Sequence, residues 1–249
     1  MGQFKIFCAG IQFLTRLPCP TFPFKKEYFV DALQYFPVVG LLIGAILVII
    51  HYFFSQLFST AVTSVLIIFV YVLITGGLHL DGLMDTIDGL FSHRSRERVL
   101  EIMKDSRVGA HGVTGAIVLL LLKYSIYLEL GLTIFYVAFL QILVLSRWSM
   151  VFLIHYLPYL RTEGLGKMYK EQSTTRQFWV ASAVTLLLLA VLDWRQGIAL
   201  FALFWLFTWC YGRAVTRALG GLTGDTYGAC AELAEVFGLL LTLLLGRLV

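Results

Sequence analysis

Residues Gly76 to Gly112 read GGLHLDGLMDTIDGLFSHRSRERVLEIMKDSRVGAHG, and this stretch decides how the rest of the chain is to be understood. It holds Asp81, Asp85, Asp88, Glu97, Glu101 and Asp105, six of the chain's 15 acids, beside Arg94, Arg96, Arg98, Lys104 and Arg107. The sequence around it is close to hydrocarbon, so charge at this place has to serve something. Asp81, Asp85 and Asp88 follow i, i+4, i+7 spacing, which puts them on one helical stripe about 60° wide. Carboxylates about 6 Å apart repel by about 3 kcal/mol per pair at an effective dielectric near 20. A divalent cation removes that repulsion, and oxygen-only ligands on one face suit Mg²⁺ or Mn²⁺. The competing reading is a solvated acidic face; against it, Leu80, Leu83, Met84, Ile87 and Leu90 surround the acids with apolar surface.

Outward from this stretch the composition is that of a membrane protein. Hydrophobic residues make up 59% of the chain and charged residues 14%, with a mean hydropathy of +0.84, well outside the balance of a soluble domain. Strand-like alternation is absent, which argues strongly against a barrel. The expected fold is all-α: one polytopic integral membrane domain over 1–249, with about seven transmembrane helices and an N-terminal interfacial helix. Apolar runs long enough to cross the bilayer are expected near 35–54, 60–78, 113–129, 133–155, 178–193, 196–212 and 230–247. The start reads as a surface helix because Phe4, Phe7, Cys8, Ile11 and Leu14 fall close to one side; a short buried helix is the alternative. No signal-peptide cleavage site follows residues 1–14. The cysteines, at 8, 19, 210 and 230, lack metal or redox spacing. The net charge of +4 chiefly reports topology, and nothing points to nucleic acid. A lipid bilayer is the expected surrounding, and assembly into a homo-oligomer is compatible with such a surface.

The basic residues give the topology. Stretches 1–34, 79–112, 156–177 and 213–229 carry four, five, four and two of the chain's 19 Lys and Arg, whereas the three intervening loops carry only Arg195. The N-terminus and all charged loops are therefore expected in the cytoplasm, with the C-terminus outside.

A second acidic group stands at 220–236, GGLTGDTYGACAELAEV, where a glycine-rich turn enters the last span. Thr223 or Asp225 is a candidate cap. Asp225 and Glu232 share a stripe, with Glu235 further round, and form a second candidate cation or alcohol-activating site. Lys123 and Arg147 lie within spans and should face protein or water. The polar loop 155–177 has the length of a cover, and its Arg161 and Lys167 are candidates for holding phosphate, as is Arg16; a plain basic surface is the alternative for each. Carboxylates and cations on one membrane side suit metal-assisted chemistry on a phosphate compound, in which a carboxylate takes a proton from an attacking hydroxyl.

Together, GGLHLDGLMDTIDGL, RVLEIMKDSRVGAHG, SRW at 146–148 and GGLTGDTYGACAELAEV closely resemble the cobalamin synthase family, the adenosylcobinamide-GDP ribazoletransferases. The likeness extends loosely to FLTRLP at 13–18 and FPVVGLLIG at 36–44; the fifth and sixth spans match only in character. It implies a Mg²⁺-dependent enzyme of the bacterial inner membrane that joins adenosylcobinamide-GDP to α-ribazole or its 5′-phosphate. GMP would be released and adenosylcobalamin or its 5′-phosphate formed. The resemblance implies Asp81, Asp85, Asp88, Glu101, Asp105, Arg107, Asp225 and Glu232 as site residues. Asp81, Asp85, Asp88 and Asp105 are then the expected metal ligands, and Glu101 or Asp88 the expected base for the ribose 3′-hydroxyl. A CDP-alcohol phosphotransferase orders its aspartates and glycines differently, and an intramembrane prenyltransferase would need adjacent-acid runs that are missing. A cation-coupled transporter would place its acids at mid-span.

Overall fold

The computed structural model of the chain describes residues 2–23, 25–130 and 132–246. In order, the helices are α1 (Gly2–Leu14), α2 (Lys26–Asp31), a 3₁₀ turn (Ala32–Tyr35), α3 (Phe36–Leu57), α4 (Thr60–Thr75), α5 (Leu78–Leu90) and α6 (Arg96–Ile102). There follow α7 (Ala110–Glu129), α8 (Leu132–Tyr156), α9 (Leu165–Gln172), α10 (Thr175–Leu219) and α11 (Gly224–Gly246). Among the described residues the only extended pairing is an isolated parallel bridge between Tyr159 and Leu222.

Five helices are long and apolar enough to cross a membrane, and a sixth crossing is formed if α4 and α5 are taken together. The 45-residue α10 would run about 67 Å if straight, twice a hydrocarbon core. It does not: Asp193 leaves helical geometry at φ −165°, ψ 105°, and a Cβ on Gly197 would stand 2.8 Å from the Cβ of Leu189. Residues eight apart touch only where the chain reverses, so the two limbs of α10 are the two expected crossings 178–193 and 196–212. The Asp193 carboxylate accepts the Arg195 and Gln196 N–H groups and caps the returning limb. The expected last crossing matches α11; its predicted end at position 247 lies outside the described residues.

Packing follows from small residues and burial. Helix α8 is the axis, buried along most of its length and covered by α3, α10 and α11. The Gly40–Gly44 face of α3 lies directly on it: a Cβ at Gly40 would collide with the Leu143 carbonyl oxygen, which is the close approach such faces permit. Pro37 occupies the first turn of α3, as expected. Outward-facing Phe69, Leu121, Leu187 and Val191 are exposed, as lipid-facing side chains must be. Helix α1 is less of a surface helix than its pattern suggests. Phe4 is exposed, but Ile6, Cys8, Ala9, Ile11 and Leu14 are buried, with Gly10 against Ala32 and Val39.

One bend sets up the site. Helix α4 ends in Gly76 and Gly77, with φ of 63° and 68°, a left-handed pair that costs glycine little. The chain then turns by 91° into α5. Helix α4 makes the crossing, and α5 runs across the end of the bundle.

Candidate active site

Helix α5 lies against the first turns of α11, because Gly82 lets the two backbones meet: a Cβ there would stand 2.8 Å from the Asp225 carbonyl oxygen. Asp81, Asp85 and Asp225 therefore face one cavity of about 390 Å³, whose rim carries Lys104, Asp105 and Arg161. The two halves of the sequence signature, in which Gly82 and Asp225 stand 143 positions apart, meet here through such close glycine contacts. The head of α11 is capped by Thr223, whose hydroxyl accepts the Thr226 N–H at 3.3 Å, so Asp225 is not needed as the cap.

No hydrogen bond or ion pair neutralises the side chain of Asp81 or Asp85 among the described residues. Burial, then the nearby Asp225 and Asp81 carboxylates, push Asp85 up to about 7. Asp225 pairs with Arg161, which also donates to the Met103 carbonyl oxygen at 3.1 Å. Arg161 is held in place from below: Leu160 donates to Leu222 at 2.9 Å and Leu222 to Pro158 at 2.8 Å, stitching the 157–164 loop to the approach of α11. The loop expected to cover the site is thus anchored at its start. It continues into α9, where Lys170 donates to the Ile154 and His155 carbonyl oxygens, so that this cation holds the end of α8. Lys167 pairs with Glu171 at 3.6 Å.

The remaining predicted site residues lie elsewhere. Asp88 is buried and turned to the start of α7, where its oxygens accept the Gly109 N–H at 2.7 Å and the Gly112 N–H at 2.8 Å. A side chain at either glycine would collide with that carboxylate. Glu101 sits on the exposed outer side of α6, paired with Arg98 at 2.6 Å. Asp105 reaches the cavity rim but is gripped by the Arg107 side chain and N–H, which hold its carboxyl down at about 2. Arg107 itself faces solvent. Arg16 packs beside Gly76, at the bend that opens α5.

Glu232 lies two turns deeper than Asp225 and belongs to a buried ionic group among four helices. Lys123 of α7 donates to Glu232 and Glu235 of α11, each at 2.7 Å. Arg147 of α8 donates to Glu235 at 2.8 Å. Tyr71 of α4 donates to Glu235 at 2.7 Å and accepts from Arg147 at 3.1 Å. Two cations meet two anions, which explains how Lys123 and Arg147 are tolerated inside the bundle. It also answers the expected second cation site: both glutamates already have protein partners. Sequence reasoning placed Lys123 and Arg147 toward protein or water but did not pair them with Glu232 and Glu235, since no spacing rule links three separate helices.

The donor set is not a closed metal site. Among the described residues, no three His, Cys, Asp or Glu stand close enough to enclose a metal by themselves. Two or three convergent carboxylates in an open cavity match the way Mg²⁺ is held where waters and substrate phosphates complete its shell.

Comparison with known proteins identifies the family. The family model described as cobalamin-5-phosphate synthase matches residues 6–243. An adenosylcobinamide-GDP ribazoletransferase of Desulfitobacterium hafniense (strain Y51) is 44% identical, covering 96% of this chain and 97% of its own length. Proteins of the same name from Roseiflexus sp. (strain RS-1) and Escherichia coli (strain K12 / DH10B) are 40% and 36% identical, covering 96% and 95% of this chain and 89% and 98% of their own. No solved structure matches the chain. With matches running nearly end to end through both acidic segments that build the cavity, the chain belongs to the cobalamin-5-phosphate synthase family.

Proposed function

We propose that this protein is a Mg²⁺-dependent adenosylcobinamide-GDP ribazoletransferase, as the names of its relatives suggest, working in a bacterial inner membrane with its acidic cavity on the cytoplasmic side. The observation that carries the reading is the convergence of Asp81, Asp85 and Asp225 on one cavity, with Lys104 and Arg161 at its rim. In the reaction, the ribose 3′-hydroxyl of α-ribazole, or of its 5′-phosphate, attacks the phosphorus that bears cobinamide. The P–O bond to the guanylyl phosphate breaks, GMP leaves with the bridging oxygen, and the hydroxyl proton passes to a carboxylate.

Carboxylates among Asp81, Asp85 and Asp225, no three of which close on a metal by themselves, would hold the cation together with waters and substrate phosphates, with Asp105 at the rim; when bound, Mg²⁺ supplies charge neutralisation of the diphosphate oxygens. Asp85 holds its proton up to about 7 only while no cation is bound; as a ligand it would give that proton up, so the hydroxyl proton would go to a cavity carboxylate that the cation leaves uncoordinated. Glu101 and Asp88 are weaker candidates for the base, the first because it is paired outside the cavity and the second because backbone N–H groups occupy its oxygens. Asp88 instead fixes α5 to α7. Arg161 and Lys104 would orient the phosphates, Arg161 by exchanging part of its contact with Asp225 for a substrate oxygen. The basic loops support the cytoplasmic assignment.

The test is direct. Purified protein in liposomes, given Mg²⁺, adenosylcobinamide-GDP and α-ribazole, should release GMP and form cobalamin. Asp85→Asn should reduce turnover by at least about 100-fold while the protein remains inserted. Turnover only of CDP-diacylglycerol with an alcohol would reject the assignment.

A further inference from the structure

A second cavity, of about 250 Å³, shares Asp81, Arg161 and Asp225 with the acidic one and runs inward between α1, α5, α8, α9 and the start of α11. Its innermost side chains are His79, Tyr169 and Tyr227, which are 1%, 2% and 3% exposed. Neither ring nitrogen of His79 has a hydrogen-bond partner, and neither do the Tyr169 and Tyr227 hydroxyls. Buried polar groups left unpaired cost about 1–3 kcal/mol each, so three such side chains lining one hollow mark it as a place where a small shift of a side chain toward a ligand would be repaid. The walls are aromatic: Phe13 meets Tyr169 edge-on at 5.3 Å, and Tyr159 stacks on Tyr227 at 6.0 Å.

We infer that this cavity seats the base of the acceptor nucleoside, a flat bicyclic azole, with its ribose directed out toward Asp81, Asp85 and Asp225. The inference rests on the transferase reading above and specifies which substrate part lies where. Size and polarity choose among the parts. A corrin macrocycle is far too large for the space. Guanine presents adjacent N–H donors that call for a carboxylate or amide, and the carboxylates of this lining, Asp81, Glu163 and Asp225, lie toward the exposed mouth. A bicyclic azole is apolar over both faces and carries one free ring lone pair. A hydroxyl or imidazole N–H at the inner end satisfies that lone pair, while the aromatic walls cover the faces. Both cavities open at Asp81, so a base seated in one puts its ribose hydroxyls at the carboxylates of the other.

The experiment measures binding and kinetics separately on the full-length protein in detergent or nanodiscs. Calorimetry with α-ribazole alone gives its Kd, and steady-state GMP release gives KM for each substrate. Tyr169→Phe and His79→Gln should each raise the Kd and KM for α-ribazole about tenfold and leave the KM for adenosylcobinamide-GDP unchanged. Tyr227→Phe supplies a third variant that keeps the aromatic wall, and thermal melting identifies which variants are folded. A raised KM for adenosylcobinamide-GDP with unchanged α-ribazole binding would overturn the inference, and so would folded variants with both values unchanged. If wild-type protein binds α-ribazole and loses it on substitution, yet releases no GMP, the subsite stands and the transferase reading falls. If it neither binds α-ribazole nor turns over, both fall.

Discussion

Asp85 and Asp88 stand three residues apart on α5 and meet different surroundings. Asp88 is buried and satisfied by two N–H groups at the head of α7; Asp85 is half-buried among other carboxylates and answered by none. Substitution should separate them. Asp88→Ala removes a helix-capping acceptor and should cost about 0.5–2 kcal/mol of stability, whereas Asp85→Asn in metal-free protein should leave the melting temperature equal or higher, because it removes a source of repulsion. Equal losses in both variants would contradict that division. The pH dependence follows from the direction of the Asp85 shift. Its folded value lies above its ordinary one, so the folded protein keeps this proton between 3.8 and about 7 where the unfolded chain has lost it. Across that window Asp85 costs the metal-free protein stability as pH rises, and above it the cost is constant. Mg²⁺ must displace the same proton below about 7 and not above it. The rise in melting temperature on adding Mg²⁺ should therefore grow through that region and then level off, and a pH-independent rise would contradict the assignment. Spacing alone made Asp81, Asp85 and Asp88 one group. What it lacked was the arrival of Gly109 and Gly112, whose missing side chains give Asp88 its partners.

Among elements, α11 carries two different jobs along one stripe. Its head supplies Asp225 to the open cavity, and two turns later Glu232 and Glu235 lock α4, α7 and α8 together. Removing one partner of a buried pair leaves an uncompensated charge and costs about 3–5 kcal/mol, while removing both is often far less harmful. Lys123→Met should thus sharply lower the melting temperature, and adding Glu232→Gln should recover a substantial part. A double variant no more stable than Lys123→Met alone would contradict the pairing. The i, i+7 relation between Asp225 and Glu232 was legible in sequence; that they serve separate centres was not, because about 10 Å of helix rise lies between them. Helix α10 was more transparent, since Asp193, Trp194 and Arg195 interrupt two apolar runs and the chain reverses there. Helix α1 was ambiguous, since a face that would lie on lipid is equally able to lie on α3.

For the whole molecule, hydropathy was enough to find a polytopic helical bundle, because each crossing must satisfy its own backbone. The order in which helices pack was not legible. It depends on which small residues allow close approach, as Gly40 does for α3 on α8 and Gly82 for α5 on α11. The basic loops predict orientation, and cysteine labelling in a cysteine-free background checks it: S106C, beside the acidic cavity, should react only from the cytoplasmic side and S59C, between α3 and α4, only from the opposite side. Labelling of both from one side would contradict the topology. The central claim is that the carboxylates brought together from the two ends of the signature hold one divalent cation. Paramagnetic resonance with Mn²⁺ in place of Mg²⁺ measures this without requiring turnover. Wild-type protein should bind Mn²⁺ in a form that Mg²⁺ displaces, and Asp81→Asn and Asp225→Asn should each weaken it at least about tenfold; undiminished Mn²⁺ binding in both folded variants would contradict the account.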